Sequence, residues 1–254
     1  MKMAEKETRT TVDGLRAVEM LYRPIREIAT GGTAFYQSQT RLNAPDVGVL
    51  MPDTYRDVCE MSSQAVKLFQ LELMQCLEAC TLFTERELNY GWVSVYMPVR
   101  FLKEKRAPKI VTDICLKKEV PTSRVCFELG ENLLGETDVQ ISLNIVTMRN
   151  LGFHFLLTNF GGTSCPMMRL SNFAVDYVMF SPEVANYIGR DERSDNAVKS
   201  IISFVNDIGS EPIADGVSNS HQAETVYEFD CSYCSGSLSG KYVSEKEIKK
   251  RKED

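Results

Sequence analysis

The sequence is short of histidine, of long apolar runs and of basic residues, and each shortage excludes something. It has only two histidines in 254 residues. Neither His154 nor His221 stands at ligand spacing from the one CxxC, Cys231-Ser-Tyr-Cys234, which argues against a zinc or redox centre there. No uninterrupted apolar run reaches the ~18 residues of a membrane span. The polar start, Met1 to Thr10, has no apolar core of a secretory leader, so none is expected. With 29 Lys+Arg against 35 Asp+Glu the formal charge is −6, which disfavours a general nucleic-acid coat. The one basic cluster, Lys246, Lys249, Lys250, Arg251 and Lys252, is mixed with Glu245, Glu247, Glu253 and Asp254. It reads as a frayed, solvated helical tail. No Pro/Gly/Ser-rich linker divides the chain, and no solenoid repeat is visible.

What is present is a globular composition, with 43% apolar and 25% charged residues. At ~150 residues per domain the length allows one or two domains, and a (β/α) barrel of ~250 residues would use it whole. The eight cysteines sit mostly in apolar periodic segments and read as buried thiols of a reducing cytoplasm. Strand-like runs occur at Tyr22–Ile28, Thr33–Arg41, Gly91–Met97, Arg124–Leu129, Gly152–Thr158, Asp176–Phe180, Glu211–Ala214 and Ser232–Cys234. Helix-like runs lie between most of them. The clearest is Tyr55–Phe83, where Val66, Phe69, Leu73 and Leu77 recur at three- and four-residue steps and Cys76 and Cys80 extend the face. Asn132–Met148, Asn196–Ile208 and Asn219–Phe229 are the others. Strand then helix, repeated, predicts an α/β fold with a mainly parallel sheet. Thr30-Gly31-Gly32 predicts a tight hairpin between the first two strands, a pattern that fits a (β/α) barrel opened or inverted at its first strand.

In such barrels the functional side chains stand at the C-terminal ends of the strands. There the sequence places Glu128 and Glu131 in Phe127-Glu128-Leu129-Gly130-Glu131, a Gly pair in Thr158-Asn159-Phe160-Gly161-Gly162-Thr163, and Asp215-Gly216. Two or three carboxylates at strand ends could serve acid–base chemistry. No activated nucleophile, lysine or histidine stands at a matched strand end, and His154 and His221 read as structural or surface residues.

Taken together, these segments resemble the EAL domain, the bacterial cyclic di-GMP phosphodiesterase family, from about Leu21 to Ser239. The family's Gln-Pro-Ile, Thr-Gly and Glu-Ala-Leu-Leu-Arg are matched by Arg23-Pro24-Ile25, Thr30-Gly31 and Gln37-Ser38-Gln39-Thr40-Arg41. Its Val-Ser-Val-Asn is matched by Val93-Ser94-Val95-Tyr96, and its Leu-Glu-Ile-Thr-Glu by Phe127 to Glu131. Its Asp-Asp-Phe-Gly-Thr-Gly is matched by Thr158 to Thr163, and its Val-Asp-x-x-Lys-Ile-Asp by Val175 to Ser181. Ala214-Asp215-Gly216-Val217-Ser218 and Ser235-Gly236 stand for Ala-Glu-Gly-Val-Glu and Gln-Gly. The resemblance implies an α/β fold of EAL type, a TIM-like (β/α)8 barrel with an antiparallel first strand, at 19–243, with an N-terminal extension at 1–18 and a charged tail at 244–254.

The departures carry the functional expectation. In the family, the first-motif Glu, the Asn, the first Glu of the third motif and the first Asp of the fourth hold metal. The second Asp assists, the Lys positions or activates water, and the last Glu and the Gln support the site. Gln37, Tyr96, Thr158, Asn159, Met179, Ser218 and Ser235 stand at those positions, while Arg41, Glu128 and Glu131 are retained and Asp215 is a shortened acid. Active members use Mg²⁺ or Mn²⁺, which need oxygen ligands and negative charge, with two cations ~4 Å apart for in-line hydrolysis. Gln37, Thr158 and Asn159 remove three of those charges, so no bound metal and no catalytic residues are expected. The resemblance then implies a degenerate, cytoplasmic regulator that holds a protein partner such as a transcriptional or motility regulator. Non-hydrolysing cyclic di-GMP binding through Arg41 is an alternative, and a residual or altered metal-dependent phosphodiesterase is another. Met167, Met168 and Phe173, in the segment Thr163–Phe173, fall where the family has its dimerisation loop, so a homodimer is also an expectation.

Overall fold

The computed structural model describes residues 11–12, 15–44, 46–162 and 165–250. Most of the N-terminal extension, Thr163, and the tail residues Arg251 to Asp254 lie outside the described residues. Eight strands form the barrel: β1 (Val18–Glu27), β2 (Thr33–Ala44), β3 (Val93–Tyr96), β4 (Val125–Leu129), β5 (His154–Phe160), β6 (Tyr177–Phe180), β7 (Glu211–Ala214) and β8 (Tyr233–Cys234). From β2 to β8 each strand runs parallel to the next. β1 closes the ring and is antiparallel to both β2 and β8. The inverted first strand follows from the expected hairpin. Gly31 adopts φ +65°, a conformation open to glycine at no steric cost, and its N–H donates to the Glu27 carbonyl at 2.9 Å.

The helices are α1 (Pro52–Glu60), α2 (Gln64–Glu85), α3 (Val99–Leu102), α4 (Ala107–Lys118), α5 (Val139–Asn150), α6 (Glu192–Asp207) and α7 (Ser220–Glu228). Side-chain caps fix several starts. Asp138 accepts from Gln140 N, Asp191 from Ser194 N and Asn219 from Gln222 N, each worth ~1 kcal/mol of helix stability. The helix expected over Tyr55–Phe83 is two helices. The chain turns at Met61–Ser63, where the Ser62 hydroxyl accepts from Gln64 N and starts α2 afresh. The helix expected over Asn132–Met148 begins later, because Glu131–Gly135 is a 3-10 turn. The C-terminal tail is not a frayed helix. Val243–Ser244 pairs antiparallel with Leu21–Tyr22 of β1, Ile248 is buried, and Arg86 donates to the carbonyls of Glu245, Lys246 and Ile248.

Strand alternation builds two cores. Residues facing outward, such as Val95, Phe127, Phe155 and Val178, pack under the helices. Residues facing inward form a plug of Ile25, Phe35, Trp92, Cys126, Leu156, Met179 and Ile213. Phe35 and Trp92 stack within it at 4.1 Å between ring centroids. The plug seals the barrel below and leaves a floor on which the next inward layer stands. That layer lies two residues further along β2, β3, β4, β5 and β7: Gln37, Ser94, Glu128, Thr158 and Asp215. On the inverted β1 it is Arg23, two residues before Ile25.

Candidate functional site

The second inward layer opens into a cleft of about 660 Å³, and the expected positions divide by whether they reach it. Gln37, Tyr96, Glu128, Glu131, Thr158, Asn159, Met179 and Asp215 line the cleft. Met179 is 1% exposed and forms floor rather than wall. Thr158 turns its hydroxyl to the Leu129 carbonyl at 3.3 Å. Asn159 sits at φ +59°, where the β5–β6 register shifts. Ser218 is exposed and bonds Gln222 at the start of α7. Ser235 is fully buried, with an unpartnered hydroxyl. Neither lines the cleft. Arg41 is turned aside too: its Nε donates to Glu19 at 2.8 Å.

At the centre is one connected network. Arg23 donates to the Gln37 amide oxygen from Nε at 2.9 Å and from Nη2 at 2.6 Å. Its Nη2 also meets Asp215 at 2.7 Å. The Tyr242 hydroxyl donates to the same Gln37 oxygen at 3.1 Å. These donors fix which way the amide points, since an arginine cannot accept. The Gln37 nitrogen therefore faces Glu128 and donates to it at 3.2 Å, and the Ser94 hydroxyl donates at 3.1 Å. Burial pushes the Glu128 carboxyl above its ordinary pKa, against the pull of Gln37, Arg56 and Ser94. Burial works to lower Arg23, but Tyr242 and Asp215 outweigh it and hold the guanidinium above its ordinary value.

A second cluster forms the wall. Tyr96 ends β3 with an aromatic ring, and Arg56 of α1 lies over that ring at 3.7 Å. The Tyr96 hydroxyl donates to Glu60 at 2.6 Å. Burial, with Glu60 beside it, drives the Tyr96 pKa upward. Arg56 reaches Glu72 at 3.8 Å, and burial pushes that carboxyl up as well. Arg56 and Tyr242 were not expected from the sequence. Arg56 is the one cation of α1, and Tyr242 lies past the last motif; neither position carries a local signal.

These residues do not fit a divalent metal. Glu128 already takes two protein donors on one oxygen, and the Gln37 oxygen takes an arginine and a phenol. Among the described residues no group of three or more His, Cys, Asp and Glu side chains could hold a metal ion. The cysteines are unpaired, and Cys231 and Cys234 are buried apolar packing rather than ligands.

Fold and cleft together define an eight-stranded α/β barrel with one inverted strand and a polar site at its strand ends. The family model of the EAL domain matches residues 9–242, and the chain belongs to that family. It is 23% identical over 224 residues to the cyclic di-GMP phosphodiesterase RocR of Pseudomonas aeruginosa, covering 87% of this chain and 56% of RocR. The chain thus spans little more than half of that relative. The FimX EAL domain of Pseudomonas aeruginosa bound to c-di-GMP superposes with a TM-score of 0.76 at 13% identity, covering 96% of this chain and 94% of that one. The EAL enzyme Bd1971 in its cAMP- and cyclic-di-GMP-bound form gives a TM-score of 0.80 at 17% identity, covering 96% and 65%. No helix among the described residues is long and apolar enough to cross a membrane.

Proposed function

We propose that the chain is a non-hydrolysing EAL domain that works in cyclic di-GMP signalling as a regulator holding a protein partner. The observation that carries this reading is the Gln37 amide. Its oxygen is taken by Arg23 and Tyr242 and its nitrogen is spent on Glu128, so protein donors satisfy the groups that would otherwise hold a cation. The loss of negative charge is matched by a gain of positive charge, since Arg23 and Arg56 both line the cleft. Arg23 pairs with Asp215 at 2.7 Å and Arg56 acts on Glu128, so guanidiniums answer the carboxylates at the centre of the cleft where a cation would otherwise do so. The cysteines, all unpaired, accord with a reducing cytoplasm.

The test is turnover. Purified protein with Mg²⁺ or Mn²⁺ is incubated with cyclic di-GMP beside RocR, and the linear dinucleotide is measured. No product above the buffer rate is expected; linearisation at RocR-like rates refutes the reading. A second reading, nucleotide binding without hydrolysis, is favoured by the cleft staying open and by its arginines, which suit phosphate. Calorimetric titration with and without Ca²⁺ tests it, with Arg23→Met and Arg56→Met as the variants. Saturable heat abolished by either variant supports binding through these arginines, and no heat at high micromolar nucleotide rejects it.

A further inference from the structure

One stretch of surface is apolar where a solvated barrel would be polar. Among the described residues, five of the fourteen exposed large apolar side chains fall between Val47 and Met61. They therefore mark one place rather than a general scatter. Met51, Val58 and Met61 recur at helical spacing along the outward side of α1, with Val58 72% and Met61 82% exposed. Val49 lies in the short strand Gly48–Leu50 just before Met51, and Val47 in the turn that leads into it. That strand ends the sheet, and its outer edge has no pairing partner among the described residues. Asp46, Asp53 and Asp57 are exposed among these side chains. The segment's one cation, Arg56, is turned inward onto Tyr96 and Glu72. The surface is thus apolar with a mainly acidic rim, Arg100 standing at its Met61 end, where it donates to the Met61 carbonyl at 3.3 Å.

We infer that this face docks a segment of another protein that carries apolar side chains flanked by lysine or arginine. A second copy of the chain is the wrong occupant: a two-fold contact would set the three aspartates of one rim against those of the other with Arg100 alone to offset them, on a molecule already at −6. A basic partner meets the rim with opposite charge and covers the valines and methionines. The inference rests on the regulatory reading above and gives it a surface. It also gives docking a route to the cleft, because α1 has two working sides. Its outer side carries Val58 and Met61; its inner side carries Tyr55, bonded to the Thr40 carbonyl at 3.2 Å, and Arg56. The exposed stripe Val139, Leu143 and Val146 on α5 has no such acidic rim and serves as the control surface.

The experiment pans displayed random peptides about twelve residues long on the native chain and measures the enriched peptides by fluorescence anisotropy. The expected peptides are basic and apolar. Their affinity falls about tenfold or more in Val58→Asp/Met61→Asp, is unchanged in Leu143→Asp, and weakens between about 50 and 200 mM salt. Both patch residues are solvent-exposed, so the double variant keeps its fold, and its circular dichroism checks this. Neutral or acidic peptides, affinity indifferent to the patch variant, or equal loss in Leu143→Asp overturns the inference. A dimer in sedimentation that Val58→Asp/Met61→Asp abolishes overturns it too, by making the occupant a second copy. The turnover assay above is read separately, so an active enzyme with a functioning patch, or an inactive one without it, is recognised as such.

Discussion

Gln37→Glu puts a second carboxylate beside Glu128, and the network makes its consequence calculable. The Gln37 nitrogen lies 3.2 Å from a Glu128 oxygen. Two carboxylates at that separation repel by about 5 kcal/mol at an effective dielectric of about 20. Arg23, at 2.6 and 2.9 Å from the other end of the side chain, returns a similar amount to the new charge. What is left uncompensated is the lost amide donor to an ionised acceptor, about 1.5–3 kcal/mol. The variant should therefore be about 2 kcal/mol less stable at neutral pH, which for a chain of this size is a melting point lower by about 4–8 °C. The sign with pH follows from linkage. A carboxyl pair sharing one proton has a folded pKa raised above its unfolded value, so the penalty is full above that folded pKa and vanishes as pH falls below the unfolded one. Urea denaturation at about pH 8 and about pH 5 should show the gap to wild type closing on the acid side. Millimolar Mg²⁺ or Mn²⁺ should not restore the lost stability. If the metal-free variant matches wild type, or if either cation raises its melting point above wild type's, then protein donors have not replaced a cation and the reasoning fails.

The wild-type Glu128 carries a smaller version of the same effect. Burial holds its pKa up, so it destabilises the fold above that pKa, and wild type should gain on Glu128→Gln as pH falls through it in parallel denaturation curves. Arg23→Met strands the Asp215 carboxylate, which is 8% exposed; a loss of about 3 kcal/mol in urea is expected, and Arg23→Met/Asp215→Leu should recover most of it. A pair that does not couple would show that the ion pair is incidental. Tyr96→Asn removes the ring under Arg56 and the bond to Glu60, together about 2 kcal/mol. Amide exchange should rise in Pro52–Glu60 and not in Gln64–Glu85, and a uniform rise would show that Tyr96 does not hold α1.

The barrel was legible because its strands are short apolar runs between turn signals, and because Thr30-Gly31-Gly32 inverts the first strand. Regions were misread where a strong period was carried too far. The regular spacing of Val66 to Cys80 was extended back over Tyr55, and so hid the turn at Met61–Ser63 that separates α1 from α2. Helix α4 was not among the helix-like runs named from the sequence; its Pro108 stands at the helix start, where a missing N–H costs nothing. The site was legible only as a list of departures. Gln37, Tyr96 and Met179 each read as a loss, since no local pattern links Gln37 to Tyr242, 205 residues on, or Tyr96 to Arg56 on another element.

In space the departures are not independent. Simple erosion of a metal site removes ligands one at a time and leaves buried polar atoms without partners. Of the expected site positions, only Glu131 and Ser235 keep such an atom. Gln37, Tyr96, Glu128, Thr158 and Asp215 are each hydrogen-bonded within the protein. An unsatisfied buried polar group costs about 1–3 kcal/mol, so a site with several of them would burden a fold whose whole margin is about 5–15 kcal/mol. Gln37 is tolerable because Arg23 and Tyr242 take its oxygen, and Tyr96 because Glu60 and Arg56 take its hydroxyl and its ring. The arginines and the tyrosine thus satisfy within the protein the polar groups that Gln37 and Tyr96 bring to the cleft, which supports the proposal that the cleft stands without a cation.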